Sequence, residues 1–598
     1  MTRYLFVAAA ILASASVRAE TDSPPTNLNE ATVVQLQAMM ASGELSSVEL
    51  TKYYLARIHA LDENGPALNA VIELNPDALA LAKTADKERK KGLVRGPLHG
   101  IPVLLKDNID TGDKMQTSAG SFALVGKPAP IDSTVAKNLR AGGAVILGKT
   151  NLSEWANFRS FESFSGWSGR GGQTHNAYFM DHNPCGSSSG SAAAASANLA
   201  TVSFGSETDG SIVCPGNVNG VVAIKPTVGL TSRAGVIPIS HTQDTVGPHA
   251  RTVADAAAAL SVVQSRSDDG RDPATAGVPL GWRNRFKRPA DLPTDYTRFL
   301  NPNGLKGARI GITRVGLKGF GPPGFPTFVA TPQPVLDAIE ASFKALSDAG
   351  ATVVDLDAQG FTFTPANGEF GVLLYEFKND LAAYFATRTG VPVGGGTLQT
   401  AIDFNNANAA AEMPFFNQDI FDLSNSLNTT DPNAPQDPSL FGSDASGKAS
   451  YKISLDLDQA AGVSMDDALN KFGLDAVVSA TDNPAWATDF IYGDHFLFGT
   501  SSLAAGPGYP IVQVPAGNVF GVPLGISFFG TAFSEAKLIQ LASGYEAFTQ
   551  ARAKNLPQLL QHIPDSSVRE PPLSAKPGAD GSRRASVRRE DPRRPHHL

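Results

Sequence analysis

The segment of this chain richest in serine and glycine runs from Pro184 to Gly216 and reads PCGSSSGSAAAASANLATVSFGSETDGSIVCPG. A serine hydroxyl is a weak nucleophile until a neighbouring base accepts its proton. The segment contains neither His nor Lys, so a base for any reactive serine must come from elsewhere in the chain. The alternative role for these residues is turn formation, because Ser and Gly are frequent in loops.

One candidate base is Lys106, which ends the apolar run in GIPVLLKDNID, residues 100–110. Burial disfavours the ammonium form of lysine, so a lysine beside the core can be neutral and accept a proton. Ser–Lys sites are a recognised variant of the serine triad. From the local sequence alone, snorkelling to solvent or pairing with Asp107 explains Lys106 better than a catalytic role does.

The segment GAVILGKT, residues 143–150, fits the phosphate-loop pattern G-x-x-x-x-G-K-T letter for letter. A phosphate loop needs a flexible turn whose amides converge on the phosphate. The four intervening residues, Ala-Val-Ile-Leu, instead predict a buried strand. We therefore expect no nucleotide site here.

The segment GSSSG, residues 186–190, fits the nucleophile-elbow pattern G-x-S-x-G with Ser188 at its apex. That motif requires a strand directly before it, whereas the preceding MDHNP is typical of a loop. The elbow also needs a downstream histidine, and the chain offers His241, His249, His495 and His562. This alternative stays open at the level of sequence.

The elements around these residues alternate between strands and helices. Apolar runs at Ile101–Leu105 and Thr201–Phe204 predict strands, and the alanine-rich run Ser191–Ala200 predicts a helix. A capping box at Ser46–Glu49 predicts the start of an earlier helix. Alternating strands and helices indicate an α/β layered fold.

Both ends of the chain predict segments outside the folded domain. Residues 1–19 read as a secretory signal peptide, with a positive start and an apolar run too short to span a bilayer. The main domain is predicted over 20–563. Residues 564–598 carry eight basic and five acidic side chains and few apolar ones, which predicts a disordered basic tail. Because of the predicted signal peptide, we expect an exported protein, periplasmic or secreted.

Composition excludes several classes of protein. The 598 residues are 42% hydrophobic and 18% charged, which is typical of a globular chain. The net charge of −8 does not favour nucleic-acid binding. We expect no stable membrane insertion, because no later segment is long and apolar enough. The two cysteines, Cys185 and Cys214, lie near the ends of the serine-rich segment, and the sequence leaves open whether they form a disulfide.

Several ordered motifs of this chain resemble the amidase signature family of serine hydrolases. The family's lysine strand is similar to GIPVLLKDN, its Ser-Gly segment to GSSSGS, and its nucleophile turn to ETDGSI. Further similarities are GKTNLSEWA, GVVAIKPTVGL and GYPIVQVPAG followed by GVPLGISFFG. The resemblance extends from about residue 30 to 550. It implies an α/β fold with one amidase-signature domain, in which helices cover both faces of a large, twisted mixed sheet.

The resemblance also implies roles for individual residues. Ser211 would be the acylated nucleophile, and Ser187 would pass its proton to a neutral Lys106. Ser187 would follow a cis peptide bond to Gly186, as in the family. The family's oxyanion hole corresponds to the backbone amides of Thr208, Asp209, Gly210 and Ser211. Many members of the family have Gly at the position of Asp209.

Within the family, the chain looks most like the bacterial peptide amidases, through SGWSGRGGQT, PCGSSSGS, ETDGSIVCP and PISHTQDTVGP. This resemblance implies hydrolysis of the C-terminal carboxamide of peptides to peptide acid and ammonia. The alternatives are a general aliphatic or aryl amidase acting on small carboxamides, and an inactive binding protein on the same scaffold. We expect no cofactor, no metal site, a peptide amide or small carboxamide as the substrate, and a monomer or homodimer.

Overall fold

A computed structural model describes residues 27–277, 288–317 and 331–561 of the chain. All of these residues belong to one structural unit. The predicted signal peptide, 1–19, and the predicted tail, 564–598, lie outside the described residues.

The described residues contain one mixed sheet of eleven strands and a separate two-stranded ribbon. In the large sheet the spatial order is β1-β3-β2-β6-β8-β7-β12-β13-β11-β9-β10, and β4 pairs with β5 in the ribbon. The strands are β1 Val71–Leu74, β2 Pro102–Lys106, β3 Val145–Thr150, β4 Trp167–Ser168, β5 Gly172–Gln173, β6 Val202–Glu207, β7 Val222–Lys225, β8 Thr245–Ala250, β9 Arg309–Ile312, β10 Thr352–Asp355, β11 Ala476–Ala480, β12 Ile511–Val519 and β13 Val522–Phe529.

The helices of the described residues cover both faces of this sheet. They are α1 Val33–Ser42, α2 Ser47–Arg57, α3 Ala78–Lys90, α4 Thr134–Ala141, α5 Ser189–Ser196, α6 Val213–Val218, α7 Val253–Val263, α8 Gln333–Asp348, α9 Glu369–Ala386, α10 Leu398–Ala407, α11 Ala409–Glu412, α12 Asp419–Ser426, α13 Tyr451–Phe472, α14 Ser502–Ala505, α15 Glu535–Thr549 and α16 Ala551–Lys554. The capping box predicted at Ser46 begins α2, with the side chains of Ser46 and Glu49 each accepting the other's backbone N–H.

The centre of the sheet is buried on both faces, which is why its strands read as continuous apolar runs. Every residue of β2, β3 and β6 is buried. β2 lies between β3 and β6 and runs parallel to both. The carboxyl ends of β2 and β6 therefore meet at the same edge, and they carry Lys106 and the turn that begins at Thr208.

A second apolar core forms beside the sheet. Residues of α9, α10, α12 and α13 pack there with Trp155 and Phe158. None of these four helices was predicted from the sequence. Residues 425–450 form a polar insertion rich in Asp, Asn, Pro and Ser, and the structure has no helix or strand between the end of α12 and the start of α13. One side chain of this insertion, Phe441, is nevertheless buried in the second core.

None of the helices in the described ranges is long and apolar enough to cross a membrane.

Candidate active site

Lys106, the last residue of β2, is fully buried and contacts two serines. Its Nζ lies 2.7 Å from the Oγ of Ser187. It also lies 3.0 Å from the Oγ and 3.2 Å from the carbonyl oxygen of Ser206, near the end of β6. Parallel pairing of β2 with β6 brings Lys106 and Ser206 to one edge of the sheet. The buried amine neither snorkels nor pairs with Asp107.

Burial lowers the pKa of the Lys106 ammonium to about 7, and the negative charges of Asp244 and Glu207 partly oppose that effect. A large fraction of neutral amine therefore exists at neutral pH. A neutral amine within 2.7 Å of a hydroxyl can accept its proton.

The segment that carries Ser187 is held against the segment that carries Ser211. The Ser188 N–H donates to the Ser211 carbonyl oxygen at 3.1 Å. Cys185 and Cys214 form a disulfide whose Cα atoms are 6.0 Å apart. The peptide bond from Gly186 to Ser187 is cis, as the resemblance implies. Two independent links, the hydrogen bond and the disulfide, therefore fix the spacing of the two serines.

The turn after β6 presents four successive backbone N–H groups, those of Thr208, Asp209, Gly210 and Ser211. None of them has a hydrogen-bond acceptor among the described residues. The next two N–H groups, of Ile212 and Val213, both donate to the Glu207 carboxylate, at 2.6 and 2.9 Å. The turn passes through a positive φ of 82° at Gly210, a conformation that a residue with a Cβ rarely adopts.

One side chain of the turn is fixed by contacts to another loop. The Thr208 hydroxyl donates to Asp244 at 2.6 Å. Asp244 in turn accepts the N–H groups of Ile239 and Ser240, at 2.8 and 3.0 Å. Reasoning from the sequence assigned no role to Asp244, and it also missed Ser206 beside Lys106 and the contact of Glu207 with the turn.

A cavity of about 440 Å³ opens onto this turn. Thr208, Asp209, Gly210 and Ser211 all line it. Ser211 is half-buried, and its hydroxyl makes no hydrogen bond within the described part of the chain. The remaining walls include Gly186, both cysteines of the disulfide, and aromatic side chains at the mouth. A larger cavity of about 1210 Å³ lies near residues 95–97 and 264–271 and contains none of these residues.

The nucleophile-elbow pattern at 186–190 and the phosphate-loop pattern at 143–150 both have structural roles. Ser188 is buried, and its Oγ donates to the Ser206 carbonyl oxygen and accepts the Ser206 N–H, so it is not free to attack a ligand. The phosphate-loop segment forms β3, as its apolar residues predict. The Lys149 Nζ donates to the Ile109 carbonyl oxygen at 2.7 Å and to Thr117 at 2.8 Å, inside the core.

One group of potential metal ligands occurs among the described residues, comprising His241, Glu376 and Asp380. The His241 Nδ1 lies 2.8 Å from Asp380. Burial works against the charged imidazole, yet the hydrogen bond to Asp380 and the charge of Glu376 raise the pKa of His241 to about 9. Hydroxyls of Ser240, Thr242 and Tyr451 already donate to Glu376. These residues therefore form an ion-paired cluster in which the carboxylates already accept hydrogen bonds from neighbouring side chains.

Comparison with known proteins decides the family. The amidase family profile matches residues 49–417, which is more than half of the chain. The chain belongs to the amidase signature family. As a family member it is a hydrolase that acts on carbon–nitrogen bonds in linear amides, and its single domain has the family's α/β fold.

Several relatives extend along most of the chain. The native peptide amidase from Stenotrophomonas maltophilia is 45% identical and has a TM-score of 0.76, with 89% of this chain and 99% of that chain covered. An amidase family protein from Bacillus anthracis is 33% identical with a TM-score of 0.72, covering 88% and 92%. A protein from Arabidopsis thaliana that is named a probable amidase is 37% identical over 536 residues, covering 88% of this chain and 91% of the relative.

Proposed function

We propose that this family member hydrolyses the C-terminal carboxamide of peptides and releases the peptide acid and ammonia. The chemical part of the proposal rests on one observation, the buried contact between Lys106 and Ser187 beside a turn of four unpaired amides. The similarity to the peptide amidase from Stenotrophomonas maltophilia supports the choice of substrate.

In the proposed mechanism the Ser211 oxygen attacks the carboxamide carbon. Its proton passes to the Ser187 oxygen while the Ser187 proton passes to the Lys106 nitrogen. The four amides of the turn donate to the oxyanion that forms, each contributing up to about 3–4 kcal/mol in a preorganised site.

The carbon–nitrogen bond then breaks, and the proton held on Lys106 returns through Ser187 to the leaving nitrogen, which departs as ammonia. Water attacks the resulting ester of Ser211, and the same relay accepts its proton. The bond between the acyl carbon and the Ser211 oxygen breaks, the relay returns the proton to that oxygen, and the peptide acid leaves.

An aromatic rim at the cavity mouth supports a peptide substrate. Phe161 and Phe496 line the cavity and remain 58% and 43% exposed. Phe490, Ile491 and Tyr492, which precede Phe496 closely in the sequence, are exposed as well. Exposed apolar groups of this size are typical of binding sites, and they suit the side chains beside a peptide carboxamide. Acetamide would make no contact with them.

The experiment that tests the proposal is mass spectrometry of a substrate panel after incubation with the enzyme. The panel contains amidated peptides, the same peptides with free carboxyl ends, acetamide and benzamide. We expect conversion of amide to acid only at C-terminal carboxamides. Faster turnover of acetamide or benzamide would contradict the peptide assignment in favour of the general amidase, and failure of every amide to react would favour the binding protein.

Export is a second part of the proposal, and the disulfide between Cys185 and Cys214 supports it. Disulfides persist in oxidising compartments and are rare in the cytosol. N-terminal sequencing of the protein recovered from outside the cytoplasm tests export, with cleavage after residue 19 as the expected result. Recovery of the protein only from the cytoplasm, with residue 1 retained, would contradict export.

A further inference from the structure

One buried carboxyl group on the cavity wall has no partner among the described residues. Asp482 lies two residues beyond the end of β11, is 1% exposed and lines the same cavity as Ser211. Neither oxygen of its carboxyl group makes a hydrogen bond to a described residue, and Oδ2 is completely covered. Its backbone, in contrast, is fixed by pairing with Gly499 and by the side chain of Asn217.

The neighbours of Asp482 make this isolation costly for the folded protein. A buried polar group normally has a hydrogen-bond partner, and a missing one destabilises the fold. Burial raises the pKa of Asp482 well above its usual range, and the negative charges of Glu207 and Asp209 raise it further. No cationic side chain lines the cavity within the described ranges. The Asp482 carboxyl group is thus a buried hydrogen-bond acceptor to which no described residue donates.

A second acid that lines the same cavity, Asp494, shows the contrast. The carboxylate of Asp494 accepts the N–H of Ser165 at 3.0 Å, the Ser165 hydroxyl at 2.6 Å and the side chain of Asn183 at 2.9 Å. Asp494 therefore holds two loops together, and its acceptor capacity is already in use. The Asp482 carboxyl group holds no described residue, so Oδ1, the oxygen that is not completely covered, is left to take its partner from the contents of the cavity.

We propose that Asp482 determines specificity for carboxamides by accepting a hydrogen bond from the N–H of the scissile amide. This inference rests on the proposed function, because it places the leaving nitrogen of the substrate in this cavity. The carboxyl group has an accepting oxygen whether or not it carries a proton. Gly499 leaves the room that this contact needs, since a Cβ at that position would lie 2.5 Å from the Asp482 Oδ1.

The test compares two substrates that share an acyl group and differ in the N–H. N-acetylphenylalanine amide offers the donor, and N-acetylphenylalanine methyl ester does not. In Asp482→Ala we expect kcat/KM for the amide to fall about tenfold to a hundredfold more than kcat/KM for the ester, which is the usual effect of losing a hydrogen bond to a carboxyl group. Asp482→Asn keeps an accepting oxygen and should keep the amide-to-ester ratio within about threefold.

Asp494→Asn is the matched control, because it replaces another carboxyl group that lines the same cavity. We expect it to leave the amide-to-ester ratio within about twofold of the unsubstituted enzyme. An equal loss of amide and ester turnover in Asp482→Ala would overturn the inference, since it would indicate a contact with another part of the substrate. The inference would also be overturned if Asp494→Asn changed the amide-to-ester ratio as much as Asp482→Ala does.

Thermal unfolding separates this role from a structural one. Since the Asp482 carboxyl group has no partner among the described residues, Asp482→Ala and Asp482→Asn should unfold at the same temperature as the unsubstituted enzyme or at a higher one. Loss of the fold in both variants would overturn the inference. Failure of the proposed function would be seen in a different experiment, as faster hydrolysis of simple amides than of peptide amides. The effect of Asp482→Ala on the amide-to-ester ratio could still be measured in that case.

Discussion

The Nζ of Lys106 lies 2.7 Å from the Oγ of Ser187, although 81 positions separate the two residues in the sequence. Parallel pairing of β2 with β6 places Lys106 beside Ser206, and the hydrogen bonds between the Ser188 hydroxyl and the Ser206 backbone hold the segment of Ser187 against the same end of β6. Burial of the amine then makes it a base near neutral pH, because burial lowers its pKa to about 7. The proposed relay depends on this contact and on proton transfer from the Ser211 hydroxyl to the Ser187 hydroxyl.

The first prediction concerns pH. Lys106 accepts a proton only when it is neutral, so kcat/KM should fall about tenfold for each pH unit below about 7. The carboxylate of Asp244 raises the pKa of Lys106, so Asp244→Asn should move this acidic limb to lower pH. The half-buried Asp489 is ion-paired with His495 and does not line the cavity, so Asp489→Asn is the charge-matched control and should leave the limb in place. A profile that stays flat down to about pH 4 would rule out a lysine base.

The second prediction concerns Glu207, whose carboxylate accepts the N–H groups of Ile212 and Val213 and so shapes the turn before them. Glu207→Ala should lower kcat about tenfold to a hundredfold with little change in KM, because misplaced oxyanion donors affect the transition state most. Glu207→Gln keeps an acceptor and should retain most of kcat. Steady-state kinetics on one amidated peptide checks both variants, and equal losses in the two would show that charge, and not the hydrogen bonds, is what matters.

The third prediction concerns the disulfide, which joins residues 29 positions apart. Loop closure of that length stabilises a fold by about 3–4 kcal/mol. Cys185→Ser with Cys214→Ser should therefore lower the free energy of unfolding by about that amount and reduce kcat/KM, since the disulfide joins the segments of Ser187 and Ser211. Denaturant titration with and without reductant measures the effect. Unchanged stability on reduction would mean that the other contacts alone hold the segments.

Some residues of this site could be predicted from the sequence and others could not. Lys106 could be found because it ends an apolar run abruptly, and Ser211 because the turn resembles a known motif. Ser206 could not, since a serine in a buried strand has no local signature. The contact from Glu207 back to Ile212 exists only once the turn is folded, and Asp244 reaches Thr208 from a separate loop.

The missed helices have a physical explanation as well. In α9, residues Gly371 to Phe377 are all buried in succession, so no periodicity of 3.6 residues marks a helix. In α13 the buried face contains Ser454, Asp458 and Ser464 among its apolar residues, which interrupts the apolar stripe. The central strands were easier to predict, because burial on both faces makes them short continuous apolar runs.

The fourth prediction concerns the aromatic rim. Phe161→Ala and Phe496→Ala should raise KM about fivefold to tenfold for amidated peptides that end in a large apolar residue, because each removes apolar contact area. The same changes should leave KM for acetamide nearly unaltered. Phe520 is 74% exposed and does not line the cavity, so Phe520→Ala is the matched control. An equal rise in KM for both substrates would show that the rim does not contact the peptide.

Labelling with a fluorophosphonate tests most directly whether Ser211 is the nucleophile. Mass spectrometry of the digested protein locates the label. We expect one label per chain on Ser211, loss of the label and at least about a 10³-fold loss of turnover in Ser211→Ala, and retention of the label in Ser188→Ala. A label on Ser188 or another residue, or substantial turnover by Ser211→Ala, would contradict this assignment.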